Sequence, residues 1–144
     1  MGSNAMSETD CILCRIVRGE IQPRKIFESE RILGIVNDLE PFSRGHVVFF
    51  PKRHAAQLTA ASDEDLAEIL VAVKRAAVVL AAPAYNVLQN NGELAGQTVF
   101  HLHVHLIPKW SEREGLVYQR EHHPKVDHGD LHRRLRDALA GSQS

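Results

Sequence analysis

From His101 to Leu106 three histidines alternate with three aliphatic residues in the run His-Leu-His-Val-His-Leu, which Pro108 closes. Successive side chains of a β-strand point to opposite faces, so this period of two admits a strand and argues against a helix, whose period is 3.6. On such a strand His101, His103 and His105 share one face, spaced about 7 Å apart, and Leu102, Val104 and Leu106 share the other. The segment therefore needs an apolar layer on one side and leaves an imidazole-lined surface on the other.

Other segments supply that layer. Leu66, Ile69, Leu70, Val73, Ala76, Ala77 and Leu80 recur at helical spacing and predict a long helix over 62–82, with Ser62 and Asp65 as a capping pair and Pro83 as its stop. A shorter helix is expected from Cys11 to Arg18, capped by Thr9 or Asp10, and another from Asp130 to Ala140. Strand-like runs cover Lys25 to Glu28, Ile32 to Val36, His46 to Phe50 and Tyr85 to Gln89, and turn formers fill Asn90 to Gly96. Strands and helices do not alternate strictly, which excludes a doubly wound sheet and predicts an α+β domain with antiparallel strands and helices gathered on one face.

At 144 residues the chain makes a single domain that buries about 68–70% of its unfolded surface without needing disulfides. That domain is expected over 6–140, with 1–5 a remnant of cloning before Met6 and 141–144 a disordered tail. A formal net charge of −1 with scattered Lys and Arg argues against a nucleic-acid partner. No run approaches the ~20 apolar residues of a membrane helix, and no secretory leader pattern precedes the fold, so a cytoplasmic protein without a membrane partner is expected.

Alternating imidazoles can hold a divalent metal, or present a neutral ring as a nucleophile. Asn90, Gln97 and Thr98 offer uncharged polar groups suited to phosphate oxygens, while no carboxylate lies nearby to support a catalytic zinc, so an anionic phosphoryl substrate is favoured. Cys11 and Cys14 lie three residues apart on one helix face, where both sulfurs can reach one ion, but two ligands are not a site. His122, His123, His128 and His132 form a second histidine-rich stretch, interrupted by Pro124, that reads as surface.

Asn90, Gly92, Gly96, Gln97, Thr98 and the histidine trio, preceded by His46-Val-Val-Phe-Phe-Pro51-Lys52-Arg53-His54, resemble the histidine triad (HIT) family of nucleotide hydrolases and transferases. The resemblance spans Cys11 to Trp110, and the Cys-x-x-Cys start looks most like the purine-nucleoside phosphoramidase branch; diadenosine polyphosphate hydrolases and nucleotidyltransferases are others. It implies a HIT-like antiparallel sheet of about five strands with one long and two shorter helices. Two copies would pair across the long helix and the adjoining edge strand into a homodimer with a continuous sheet. It further implies cleavage of a P–N or P–O bond at the α-phosphate of a purine nucleotide or nucleoside phosphoramidate. His103 would attack phosphorus, and water would then release a nucleoside monophosphate.

On the same resemblance His105, Asn90, Gln97 and Thr98 hold phosphate oxygens, His46 and His101 line the pocket, Asp38 binds the ribose, and Ile12, Leu13 and Ile16 sandwich the base. Taken without it, that helix face is core. A structural zinc on Cys11, Cys14, His54 and His101 is implied, with no organic cofactor. Two rival readings are a zinc-dependent hydrolase with all three histidines as ligands and a non-catalytic nucleotide-binding protein. Arg31 to Asp38 is one residue longer than the usual pattern, so a bulge is expected at Ile35 or Val36. Leu13 stands where phenylalanine is commoner, and Thr98 replaces a commoner serine while keeping its hydroxyl.

Overall fold

Two adjacent apolar runs, Ile32 to Val36 and Val47 to Pro51, pair residue for residue from Ile32 opposite Pro51 to Val36 opposite Val47, and form the centre of the sheet. The computed structural model describes residues 10–141, so the readings placed on 1–5, on Thr9 and on 142–144 lie outside it. Its elements are α1 (Ile12–Val17), β1 (Lys25–Glu28), β2 (Ile32–Val36), β3 (Val47–Pro51), α2 (Asp63–Leu80), β4 (Ala84–Leu88), β5 (Val104–Lys109) and α3 (Gly129–Gly141). The strands lie in the order β1-β2-β3-β5-β4, and every pairing is antiparallel. This is the expected five-stranded α+β architecture with three helices. Gly141, assigned above to the tail, belongs to α3.

Pleating sorts the side chains into two layers. Ile32, Val47, Phe49, Val104 and Leu106 pack against Ile69, Ala72 and Val73 of α2, whereas Leu33, Val48 and Phe50 pack against Leu13 and Cys14 of α1 and its cap Cys11. The expectation of helices gathered on one face is thereby corrected. β2 and β3 read as continuous apolar runs because both of their faces are covered.

The long helix starts where Ser62 Oγ accepts the Asp65 N–H at 3.1 Å and stops at Ala81, which takes a left-handed conformation with φ 51°. Leu70 leaves the predicted stripe for solvent, and buried Asp65 joins the inner face, 3.3 Å from Arg31 Nη1. The sheet touches only a narrow stripe of the helix, and Leu70 lies about 100° round from Ile69. In α1 the cap is Cys11 itself, whose Sγ accepts the Cys14 N–H at 3.4 Å, in place of Thr9 or Asp10. The bulge expected at Ile35 or Val36 does not form, and a bulge falls on β1 instead. Lys25 faces Ile35 and Phe27 faces Gly34, so the extra residue is Ile26 of β1, while Ile35 and Val36 keep their register with β3.

After β5 the chain folds back over the loop between β2 and β3. Gly115 N–H donates to Phe42 O at 3.0 Å, Trp110 Nε1 to Arg44 O at 2.8 Å, and Arg44 pairs with Glu114 at 3.0 Å. Tyr118 Oη accepts from Asn86 of β4 at 2.9 Å.

Candidate active site and metal centre

The histidine run divides. β5 begins only at Val104, opposite Phe49, so His101 and His103 precede the ladder and the three imidazoles do not share one strand face. The Leu102 N–H donates to Ala55 O at 2.7 Å instead of to β3. This turns fully buried His101 towards Pro51, whose carbonyl accepts from Nε2 at 2.7 Å. A carbonyl only accepts, so the His101 proton sits on Nε2 and its Nδ1 carries a lone pair.

That lone pair faces a ligand set. His101 Nδ1 lies 3.2 Å from Cys11 Sγ, 3.5 Å from Cys14 Sγ and 3.2 Å from His54 Nδ1, and Cys14 Sγ lies 3.3 Å from His54 Nδ1. Tetrahedral zinc, with Zn–S about 2.3 Å and Zn–N about 2.0 Å, places two nitrogens about 3.3 Å apart and nitrogen and sulfur about 3.5 Å apart. The four donors, all within 4.8 Å of one another, therefore fit one such ion. Burial pushes the His101 imidazolium down to about 4 against the pull of the Pro51 carbonyl, which keeps the ring in the neutral form a metal requires. With its Nε2 on the Pro51 carbonyl and its Nδ1 facing this set, His101 does not converge with His103 and His105 on one point, which argues against the reading of a zinc hydrolase with all three as ligands.

His103, His105 and His46 form a second group. His103 Nδ1–H donates to His101 O at 2.7 Å, so the neutral ring keeps a lone pair on Nε2. The His103 and His105 ring centroids are 4.8 Å apart, edge to face. His46 receives the Phe42 backbone N–H on Nδ1 at 3.1 Å. Because that N–H can only donate, the His46 proton sits on Nε2, which donates to His105 Nδ1 at 2.9 Å and leaves the His105 proton on Nε2. Neighbours thus sort chemically identical rings into one bearing a bare nitrogen and one bearing a donor. Burial lowers His103; burial, reinforced by the nearby His103, holds His46 and His105 down to about 4. All three are neutral at pH 7.

The remaining predicted residues separate by environment. Gln97 is buried: its Oε1 accepts the Gly92 N–H at 2.7 Å, and Nε2 donates to Ala56 O at 2.7 Å and Val99 O at 3.0 Å. Its own backbone N–H goes to Gly92 O at 3.0 Å. The side-chain amide and the backbone N–H of Gln97 are thus engaged in closing the loop. Thr98 is exposed, and Asn90 reaches Gly96 O only at 3.5 Å. Asp38 is exposed and pairs with Arg24 at 3.2 Å. Leu13 is core, while Ile12 and Ile16 lie partly exposed on the same cluster. His122, His123, His128 and His132 are exposed, as expected. Sequence reasoning missed Asn37, whose Nδ2 lies 3.4 Å from His46 Nδ1, and the Phe42 N–H. The Pro41 to Gly45 turn ahead of His46 was the available signal.

A five-stranded antiparallel sheet, neutral histidines sorted by tautomer beside it and a Cys₂His₂ set behind them define a small α+β protein with a histidine-based site. The chain belongs to the HIT family: residues 18–112 match the HIT domain. Adenosine 5'-monophosphoramidase HNT1 of Saccharomyces cerevisiae is 38% identical over 146 residues, covering 99% of this chain and 90% of the relative. The crystal structure of a histidine triad nucleotide-binding protein from Candida albicans aligns with TM-score 0.81 at 38% identity, over 92% of this chain and 99% of that one. A Zn-bound histidine triad family protein from Mycobacterium smegmatis aligns with TM-score 0.68 at 36% identity, over 94% and 96%.

Proposed function

We propose that the protein is a nucleotide hydrolase of the adenosine phosphoramidase type, acting through a covalent nucleotidyl-histidine on His103. The observation that carries this reading is the 2.7 Å bond from His103 Nδ1–H to the His101 carbonyl. It commits the free electron pair to Nε2, the atom that attacks. In the first step Nε2 bonds to the α-phosphorus as the bond to the leaving nitrogen or oxygen breaks, that group taking a proton from solvent, to which the water consumed in the second step returns one. In the second, water attacks phosphorus, the P–N bond to histidine breaks, and a nucleoside monophosphate leaves. A neutral imidazole approaches an anionic phosphoryl group without the repulsion a carboxylate would meet. His105 Nε2–H, positioned by His46, donates to a phosphate oxygen.

Asn90 and Thr98 complete the phosphate cradle on a loop that Gln97 closes, Asp38 holds the ribose after releasing Arg24, and Ile12 and Ile16 flank the purine with Leu13 behind them. Zinc held by Cys11, Cys14, His54 and His101 is structural here in a local sense, pinning α1 to the sheet at His54 and His101 and taking no part in the chemistry. The relatives' names, adenosine monophosphoramidase and Zn-bound histidine triad protein, support the substrate class and the metal. A homodimer and a cytoplasmic location belong to the same reading; among the described residues no helix is long and apolar enough to cross a membrane.

The test is a brief mix with adenosine monophosphoramidate, quenched in alkali and analysed by mass spectrometry. A nucleotidyl adduct on the peptide containing His103 is expected. Release of AMP with no adduct would instead identify direct attack by water.

A further inference from the structure

We infer that the Cys11–Cys14–His54–His101 cluster is a positioning device for the nucleophile, so that metal occupancy sets the orientation and tautomer of His103. The inference rests on the functional reading above only for its rate consequence. Residues 101–103 link the two sites. These residues lie outside the sheet, since β5 starts at Val104, and no ladder hydrogen bond fixes the His101 carbonyl to which His103 Nδ1 donates. Three other contacts do so: the His101 ring on Pro51 O at 2.7 Å, the Leu102 N–H on Ala55 O at 2.7 Å, and His101 Nδ1 in the ligand set.

His54 and Ala55 are consecutive, so the strap that receives Leu102 is itself anchored through His54. An ion drawing in His54 and His101 together would grip 101–103 from the side chain of His101 and from the strap beside Leu102. Without the ion, only weaker hydrogen bonds remain at His101 Nδ1, from an Nδ1–H of His54 at 3.2 Å or from the thiols. One residue supplies both the metal-facing ring and the carbonyl that holds His103, so a rotation of His101 released by loss of the ion is passed to His103.

The test compares zinc-loaded chain with chain stripped by a chelator under reducing conditions, reading imidazole ¹H–¹⁵N correlations without substrate; a His103→Ala spectrum assigns the signals. One zinc per chain and a single Nδ1–H tautomer for His103 are expected in the loaded form. In the stripped form tautomer exchange is expected, with sheet amides over 104–109 unchanged. Adenosine monophosphoramidate turnover should drop by about tenfold or more in kcat with little change in KM, the size seen when an outer-shell partner is lost. His54→Ala should behave as the stripped chain. His54→Cys, a Cys₃His set that still binds zinc, should restore both tautomer and rate.

An unchanged His103 tautomer after complete zinc loss would overturn the inference, as would failure to bind zinc at all. Collapse of the sheet amides on stripping would also overturn it, by showing a staple for the whole fold. A tautomer that responds to zinc in a chain that never releases AMP would uphold the positioning role and sink the phosphoramidase reading alone.

Discussion

His101, His103 and His105 are one residue type at one spacing, yet the fold gives them three jobs through their acceptors and donors. His101 faces sulfur because Pro51 O takes its Nε2 proton. His103 keeps a bare Nε2 because the His101 carbonyl accepts from its single N–H, on Nδ1, and His105 keeps an Nε2–H because His46 fills its Nδ1. None of these partners is legible in the alternation itself, which extends the strand three residues too far and cannot tell a ligand from a nucleophile. Gln97 is the same case: in the sequence it is an amide beside a phosphate-sized loop, and only the carbonyls of Ala56 and Val99 reveal that it is spent. The pH dependence follows from the burial of His103, which lowers it from the ordinary 6.5. Protonation removes the attacking lone pair, so activity is lost as pH falls through the depressed value and not before. The acid limb of kcat/KM is therefore expected below 6.5, with a plateau across neutral pH, in stopped-time AMP release. An acid limb above 6.5 would contradict a buried nucleophile.

Among the elements, the two central strands and the long helix were legible because their apolar patterns are long and their caps local. The side of the sheet each helix takes was not, since a run apolar on every residue, such as Val47 to Phe50, assigns no face. Gly34 shows what a strand pattern leaves out. It sits in β2 opposite Phe49, and a Cβ built there would lie 2.6 Å from Phe49 Cε1 and 2.8 Å from Cδ1. The Phe49 ring is fully buried and packed in the α2-side core, so it cannot swing clear without displacing its neighbours. Gly34→Ala is expected to destabilise the fold by about 1–3 kcal/mol, the usual cost of overpacking, although alanine has the better intrinsic strand propensity. Urea unfolding monitored by circular dichroism measures it; an equally or more stable variant would mean the ring has room to move.

At the scale of the whole molecule, the described chain leaves one end of its sheet unfinished. β4 is the outer strand next to β5, with Tyr85 52% and Val87 47% exposed, and the neighbouring outer face of α2 exposes Val71 58%, Val78 71% and Val79 84%. An uncovered edge strand beside an apolar helix face is an invitation to pair, and a two-fold axis there would bury the helices against each other and join two sheets edge to edge. Val71 and Val78 lie one heptad apart on one line of α2, so Val71→Glu with Val78→Glu places four carboxylates across such an axis. Light scattering after size exclusion is expected to give about twice the 16.1 kDa chain mass for the parent and the single-chain mass for the double variant. The competing surface is α3, whose Leu131, Leu135 and Leu139 are all exposed at four-residue spacing. If α3 holds the pair instead, Leu135→Glu separates the copies while the α2 double variant stays dimeric. A parent chain that runs as a monomer at every concentration would remove the edge-to-edge pairing altogether.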